Sequence, residues 1–303
     1  MVNGKFDKKP EDIHYEIKDR KFLMLASIGD QAIGAAPTII VTTLIGLAAS
    51  SVFSIYSMIF VSVKTLINSF HHAVSAIFGN LVASSGEDNN KIREVFDTLL
   101  YIFMMLGALL ASCCAFLFMG FIKLYSSGFT EGVYIQPILA CFIVAYIAIF
   151  SVRTVFNFVS HSYGLFKLTC KVTVIFGAIG VCISAIATKL WGLPYVMLGV
   201  VFYHFITTCV LVYSFKKKIV WFKIEKKWIM RIAIMILLPV ISWNIYSSGV
   251  FLTESWIGWF LMAVQYAIAV AACLLVYTLI FDRKPFLSLI SYGKAIFGVK
   301  KTK

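Results

Sequence analysis

Residues 95–121 read VFDTLLYIFMMLGALLASCCAFLFMGF, with Asp97 as the only charge, close to the start of the run. A stretch of this length and apolarity is long enough to cross the ~30 Å hydrocarbon core of a bilayer, which needs ~20 residues of helix. Working outward, comparable runs recur at 22–45, 52–80, 134–158, 168–188, 194–214, 229–247 and 256–281, so eight spans are expected. The run at 52–80 exceeds what a bilayer requires and is expected to tilt or to extend beyond it. Pro37, Pro137, Pro194 and Pro239 fall in or at the starts of these runs, where neighbouring helices can re-satisfy the backbone.

Composition agrees. Of 303 residues 60% are hydrophobic and 14% charged, with a mean hydropathy of +0.90. A soluble domain carries roughly a quarter charged residues, so lipid must be part of this chain's solvent. The net charge of +13 does not point to nucleic acid, because it sits in short blocks between apolar runs. Segments 1–21, 81–94, 159–171, 215–231 and 282–303 hold 23 of the 27 Lys and Arg residues, whereas the alternate loops hold only Lys123 and Lys189. That bias predicts both termini inside. The expected organisation is a cytoplasmic segment 1–21, a six-helix bundle 22–214, a basic cytoplasmic linker 215–228, two further spans 229–281 and a basic tail 282–303. The linker and tail, rich in lysines and aromatic residues, are expected to lie along an anionic membrane surface. Residues 1–21 are too polar for a cleavable signal peptide. Cys113, Cys114, Cys141, Cys182, Cys209 and Cys273 lie inside apolar runs without a CxxC or Cys/His cluster, so they read as small apolar filler and no metal or cofactor is expected.

Ionisable groups inside spans mark candidate sites. Ser57, Lys64, Asn68, His71 and Ser75 are spaced seven, four, three and four apart, which places them within roughly a 60° arc of one helix at 100° per residue. This hydroxyl–ammonium–amide–imidazole stripe either lines a cavity or holds Lys64 as the partner of Asp30, the one acid that the sequence places well inside a span, on the neighbouring run. In the fourth span Tyr146, Arg153, Asn157 and Ser160 share a face, and Arg153 either joins the cavity or snorkels to the inner interface. Asp30 and His204 are ion-coupling candidates, His204 having helix packing as its plainer role. His161 is expected to be surface-exposed, with His72 off the stripe. Two cations against one acid favour an anionic passenger, such as a phosphate or carboxylate, over a cationic drug. No P-loop, nucleophile elbow, HExxH or fixed-spacing carboxylate pair is present, and the loops are too short for a catalytic domain, so the chain does not read as an enzyme.

The stretch LIGLAASSVFSIYSMIFVSVKTLINSFHHAVSAIFGNLVASSGEDNNKIREVF, ending at Phe96, resembles bacterial polysaccharide flippases. These are the O-antigen, capsule and exopolysaccharide translocases of the multidrug/oligosaccharidyl-lipid/polysaccharide exporter superfamily. Gly46, Tyr56, Gly79, Asn80, Leu81 and Phe96 follow the family pattern in order. The Asp-Asn pair that many relatives carry about nine residues before that first glycine is replaced by Pro37 and Thr38. Relatives usually have 12 or 14 spans in two lobes, so the resemblance implies the second lobe plus a final helix pair, in a truncated or split product. It further implies a bacterial inner-membrane protein of surface polysaccharide and lipopolysaccharide biosynthesis, flipping polyprenyl-pyrophosphate-linked oligosaccharides by alternating access. Lys64, Asn68, His71, Ser57, Ser75, Arg153, Asn157 and Tyr146 would line its cavity. Membrane lipids, a missing N-terminal lobe, a second copy or polysaccharide polymerase machinery are the implied partners. The alternatives are a drug/cation antiporter of the same superfamily and a non-transporting remnant.

Overall fold

The computed structural model describes residues 20–84, 89–128, 134–248 and 255–288. Their secondary structure is helical: α1 Arg20–Leu44, α2 Leu47–Ser84, α3 Asn89–Ser126, α4 Pro137–Ser162, α5 Phe166–Trp191, α6 Leu198–Lys218, α7 Lys226–Ser247 and α8 Trp256–Phe281, with a 3₁₀ turn Leu193–Tyr195 before α6 and a short helical turn over 283–288. All eight helices are long and apolar enough to cross a membrane, and the protein is a multi-pass membrane protein. At 1.5 Å per residue the 38-residue helices α2 and α3 measure about 57 Å, well beyond a ~30 Å hydrocarbon core. The helices form because an isolated backbone amide in lipid has no water to bond to and must be satisfied within its own segment.

Helices that follow one another run antiparallel. α3 and α4 form the buried centre, crossing where Gly107 lies against Ser151 and where Phe103 meets Phe158. α2 packs on α4 in the parallel sense, through Phe60–Tyr146 at one end and Phe78–Phe158 at the other. α1 and α5 also run parallel, with Ile33 packed against Gly177. α5 and α6 approach backbone to backbone: a Cβ on Gly180 would sit 2.7 Å from the carbonyl oxygen of Gly199, so only glycine fits there. α7 lies parallel to α3 and α8 antiparallel to it, joined by contacts such as Phe116–Tyr246 and Phe121–Trp256.

The residues that carry the family resemblance serve this scaffold. Gly46 has φ +120°, in the left-handed region that a side chain would strain, and it turns α1 into α2. The hydroxyl of the fully buried Tyr56 donates to the Tyr134 carbonyl and accepts from the Gln136 amide, both at 2.8 Å, fixing the approach to α4. Phe96 is buried in an aromatic cluster with Phe156, Trp221, Phe222 and Trp228.

That cluster corrects the expectation that the linker lies along the membrane surface. Ile219, Trp221, Phe222 and Trp228 are buried, and Trp221 Nε1 donates to the Tyr163 hydroxyl at 2.5 Å. Lys216, Lys217, Lys218 and Lys223 point outward. Aromatic rings of this size contribute more by filling a core than by resting on headgroups. The tail beyond 288 and the segment before 20 lie outside the described residues.

Arg231 is a second correction. Counted in sequence among the surface cations, it is fully buried at the first turns of α7. Its Nη1 and Nη2 donate to Asp97 Oδ1 and Oδ2 at 2.7 and 3.0 Å, and its Nε and Nη2 donate to Asp282 Oδ2 and Oδ1 at 2.5 and 3.0 Å. A further bond from Nη1 to the Asp97 carbonyl, at 3.4 Å, engages the last of the five N–H donors. Asp30 is therefore not the only acid within the bundle. Beside the triad, Arg93 of α3 pairs with Glu225 at 2.7 Å, so the start of α3 anchors both the linker and the end of α8.

Removing one member of a buried charge cluster leaves the others uncompensated, which costs about 3–5 kcal/mol, while apolar replacement of the whole cluster is often neutral. Arg231→Ala is expected to lose detergent thermostability on that scale. Combining Arg231→Met, Asp97→Leu and Asp282→Leu should recover most of it. Fluorescence-detected thermal melting of the purified variants reads both effects.

Candidate functional site

Four helices converge on a second charged network. Asp30 of α1 accepts at Oδ1 from Arg153 Nη2 of α4 at 2.8 Å and from the Tyr203 hydroxyl of α6 at 2.5 Å. Tyr203 in turn accepts from Arg153 Nη2 at 2.6 Å and lies 3.4 Å from the Thr173 hydroxyl of α5. Arg153 Nη1 lies 3.2 Å from His204 Nδ1. A guanidinium can only donate, so that nitrogen accepts and the ring proton of His204 sits on Nε2. The Arg153 side chain is 3% exposed, whereas that of Asp30 is 38% exposed. The sequence alternative in which Arg153 snorkels to an interface is thereby overturned, as the guanidinium is better satisfied by a carboxylate inside the bundle.

A cavity of about 170 Å³ adjoins this network. By the volume of liquid water it has room for roughly five molecules. Asp30 and Gln31 face it from α1, Lys64, Asn68 and His71 from α2, Tyr146, Arg153 and Asn157 from α4, and His204 from α6. The structure thus brings together eight of the residues singled out in sequence. Ser57 and Ser75 do not join them. They are not among the residues that line the cavity, and their hydroxyls donate to Ser54 and His72 carbonyls of their own helix.

Lys64 is placed differently from the pair suggested by sequence. Asp30 is engaged by Arg153, and among the described residues no carboxylate oxygen lies within 4.0 Å of the Lys64 ammonium. Its Nζ lies 5.9 Å from the Phe150 ring centroid and beside Gly34. Arg153 Nε, His71 Nδ1 and Asn157 Oδ1 are buried polar atoms without a hydrogen-bond partner among the described residues. The cavity therefore presents one uncompensated cation with donors and an acceptor around it. Sequence reasoning missed Tyr203, which bridges the ion pair. Its one signal was adjacency to His204. His161 is partly buried rather than surface-exposed, against Phe166. His72 is exposed, off the stripe.

The polar surface continues outside the cavity. Ser54, Thr65, Ser69 and His72 of α2 are exposed, and they lie about 80–140° round the helix from Lys64. Gln31 and Thr38 of α1 are exposed as well. Beyond the hydroxyl arc α2 turns apolar, with Leu66, Phe70 and Ile77 exposed. Elsewhere the outward faces are largely apolar, as at Ile236, Leu237 and Ile241 of α7 and Ile257, Leu261 and Ile268 of α8. The hydroxyls of Thr65 and Ser69 bond to carbonyls four residues back, at 2.9 and 3.0 Å, which satisfies them without a partner.

The pairing sets an expected double-mutant result. Arg153→Ala leaves Asp30 and Tyr203 facing a hole and should lower membrane abundance and melting temperature. Adding Asp30→Ala should restore part of the loss, with a coupling of about 0.5–3 kcal/mol. The same Asp30→Ala change combined with Lys64→Ala should show no such rescue. Melting curves of the six proteins in one detergent decide between the two pairings.

Comparison of the chain with protein-family models, with curated proteins and with solved structures gave no significant match. The functional reading rests on the cavity's own chemistry and on the sequence resemblance.

Proposed function

We propose that the protein flips polyprenyl-pyrophosphate-linked oligosaccharides across a bacterial inner membrane, with both termini in the cytoplasm. The observation that carries this reading is Lys64, a cation at the middle of α2 that faces a polar cavity and, among the described residues, has no carboxylate oxygen within 4.0 Å. A diphosphate at membrane depth needs charge-assisted hydrogen bonds to replace its water. Lys64, the unengaged Nε of Arg153 and the amide of Asn68 supply donors of that kind. The hydroxyl-rich arc of α2 beside the cavity suits the sugar, and the adjoining apolar arc suits a lipid tail that stays in the bilayer. A cation antiporter would instead need acids in excess in its cavity, and here Lys64 and Arg153 outnumber Asp30. The family resemblance and the concentration of Lys and Arg at one end of the helices support the same reading.

The test centres on charge at position 64. A phosphate accepts a point cation as readily as a fork, so Lys64→Arg should keep substantial transport. Lys64→Ala should lose about ten-fold or more at normal protein level, the effect of one charge-assisted bond of ~1.5–3 kcal/mol. Surface polysaccharide, normalised to membrane abundance, is the readout, and undiminished export by an abundant Lys64→Ala protein would count against the proposal.

Orientation is tested separately. Reporter fusions after Ser85 and Lys218 should read cytoplasmic, and fusions after Ala49 and Ser248 external. An external signal at Lys218 would overturn the orientation.

A further inference from the structure

The cavity's charges do not match a diphosphate as they stand. Lys64 and Arg153 bring two positive charges and Asp30 one negative, leaving one net positive charge. A sugar–diphosphate–lipid is a diester whose two negative charges do not titrate near neutral pH. Its arrival would leave one uncompensated negative charge, and it would meet the Asp30 carboxylate, the cavity's most exposed member of the ion pair. Net charge at this depth carries a penalty of several kcal/mol.

We infer that Asp30 takes up one proton from solvent when a diphosphate diester occupies the cavity, and that Arg153 is thereby released to the ligand. The inference rests on the reading of this cavity as a site for a diphosphate-linked lipid. Protonation of Asp30 removes its negative charge and weakens its hold on Arg153 Nη2, which then donates to a non-bridging phosphate oxygen. With the carboxyl neutral, two cations face two anionic charges and the site balances. Asp30 can make this exchange because its carboxylate is partly open, whereas Arg153 is buried and lines the cavity.

Other titratable groups surround Asp30 and are rivals for the proton. α2 presents Lys64 and His71, α4 presents Tyr146, Arg153 and His161, and α6 presents Tyr203 and His204. α5 contributes the Thr173 hydroxyl through Tyr203. Tyr203 keeps its bond to the protonated carboxyl by exchanging donor and acceptor roles. His204 is held neutral as long as its Nδ1 accepts from Arg153. Protonation of His71 would balance the charge too, but it would leave Arg153 bound to Asp30. A histidine acceptor therefore predicts uptake that survives the loss of Asp30.

The experiment uses the purified full chain in lipid nanodiscs and two water-soluble probes. One is a geranyl diphosphate-linked N-acetylglucosamine, doubly charged; the other is the corresponding geranyl phosphate-linked sugar, singly charged. Calorimetry in buffers of different ionisation enthalpy counts protons. About one proton should be taken up per diphosphate bound, so that its affinity rises as pH falls. The monophosphate probe should bind without uptake. Asp30→Asn, which keeps an acceptor for Arg153, should bind the diphosphate with no proton uptake and a flat pH profile. The two-probe comparison in the wild type needs no variant to fold. Diphosphate binding without proton uptake overturns the inference alone, as does uptake that persists in Asp30→Asn. Failure of the wild type to bind either probe overturns the inference together with the reading beneath it.

Discussion

Two arginines fix how this bundle is assembled, because a guanidinium buried among apolar helices must find carboxylates within the protein. Arg231 takes two, Asp97 of α3 and Asp282 at the end of α8, and in doing so sets where the last two helices sit on α3. Arg153 takes one, Asp30, and ties α4 to α1 with Tyr203 and His204 of α6 as further partners. A fully satisfied pair of this kind adds little net stability over well-packed apolar residues, but a half-broken one is strongly destabilising. Its effect is therefore on which arrangement is allowed. A shift of α1 against α4, or of α7 against α3, by one helical residue would strand a charge.

The two kinds of cation divide the work. Arg presents a planar fork that a carboxylate can match on two sides, and Arg231 is spent on the scaffold in that way, whereas Arg153 gives Asp30 one bond and shares its other donors with Tyr203 and His204. Lysine is a point charge on a flexible stem and does not enforce a geometry, so Lys64 can face a cavity without locking a helix. The packing beneath it reinforces this. Phe60, Tyr146 and Phe150 form an aromatic floor, with the rings of Tyr146 and Phe150 stacked at 5.4 Å. Such rings hold the shape of the cavity while leaving its polar groups available.

Much of this was legible in the sequence. The eight apolar runs become eight helices, because length and apolarity alone decide what a bilayer admits. Helical arithmetic placed Lys64, Asn68 and His71 on one face of α2, and Arg153 and Asn157 on one face of α4, and those faces meet. The partners of the charges were not legible. Asp30 lies on the span next to that of Lys64, yet the packing of α1 between α2 and α5 turns it to Arg153, which is 123 residues away. Asp97 and Asp282 sit at the margins of apolar runs, where an acid reads as interfacial, and only the placement of α7 buries them. The linker misled for a related reason. Lysines alternating with Trp221, Phe222 and Trp228 fit a membrane surface and a folded corner equally well, and the choice depends on whether Phe96 and Phe156 are near. The residues with family resemblance marked the scaffold, since Gly46, Tyr56 and Phe96 act on turns and packing rather than on the cavity.

α2 shows how one helix can serve water and lipid at once. Around its axis run a buried face at Phe53, Tyr56 and Ile67, then the cavity stripe, then the exposed hydroxyl arc, then the apolar residues Leu66, Phe70 and Ile77. Almost half its circumference is polar, yet the helix remains compatible with a membrane, because its hydroxyls bond back to the carbonyls of the preceding turn. The hydroxyls of the exposed arc are interspersed with exposed apolar residues, Val61 beside the stripe and Met58 among the hydroxyls. On the proposed function, a charged, sugar-bearing head would lie in the stripe and its long apolar tail on the apolar arc. A compact soluble anion would use only the stripe, which leaves the exposed hydroxyls of α1 and α2 without a purpose in that account.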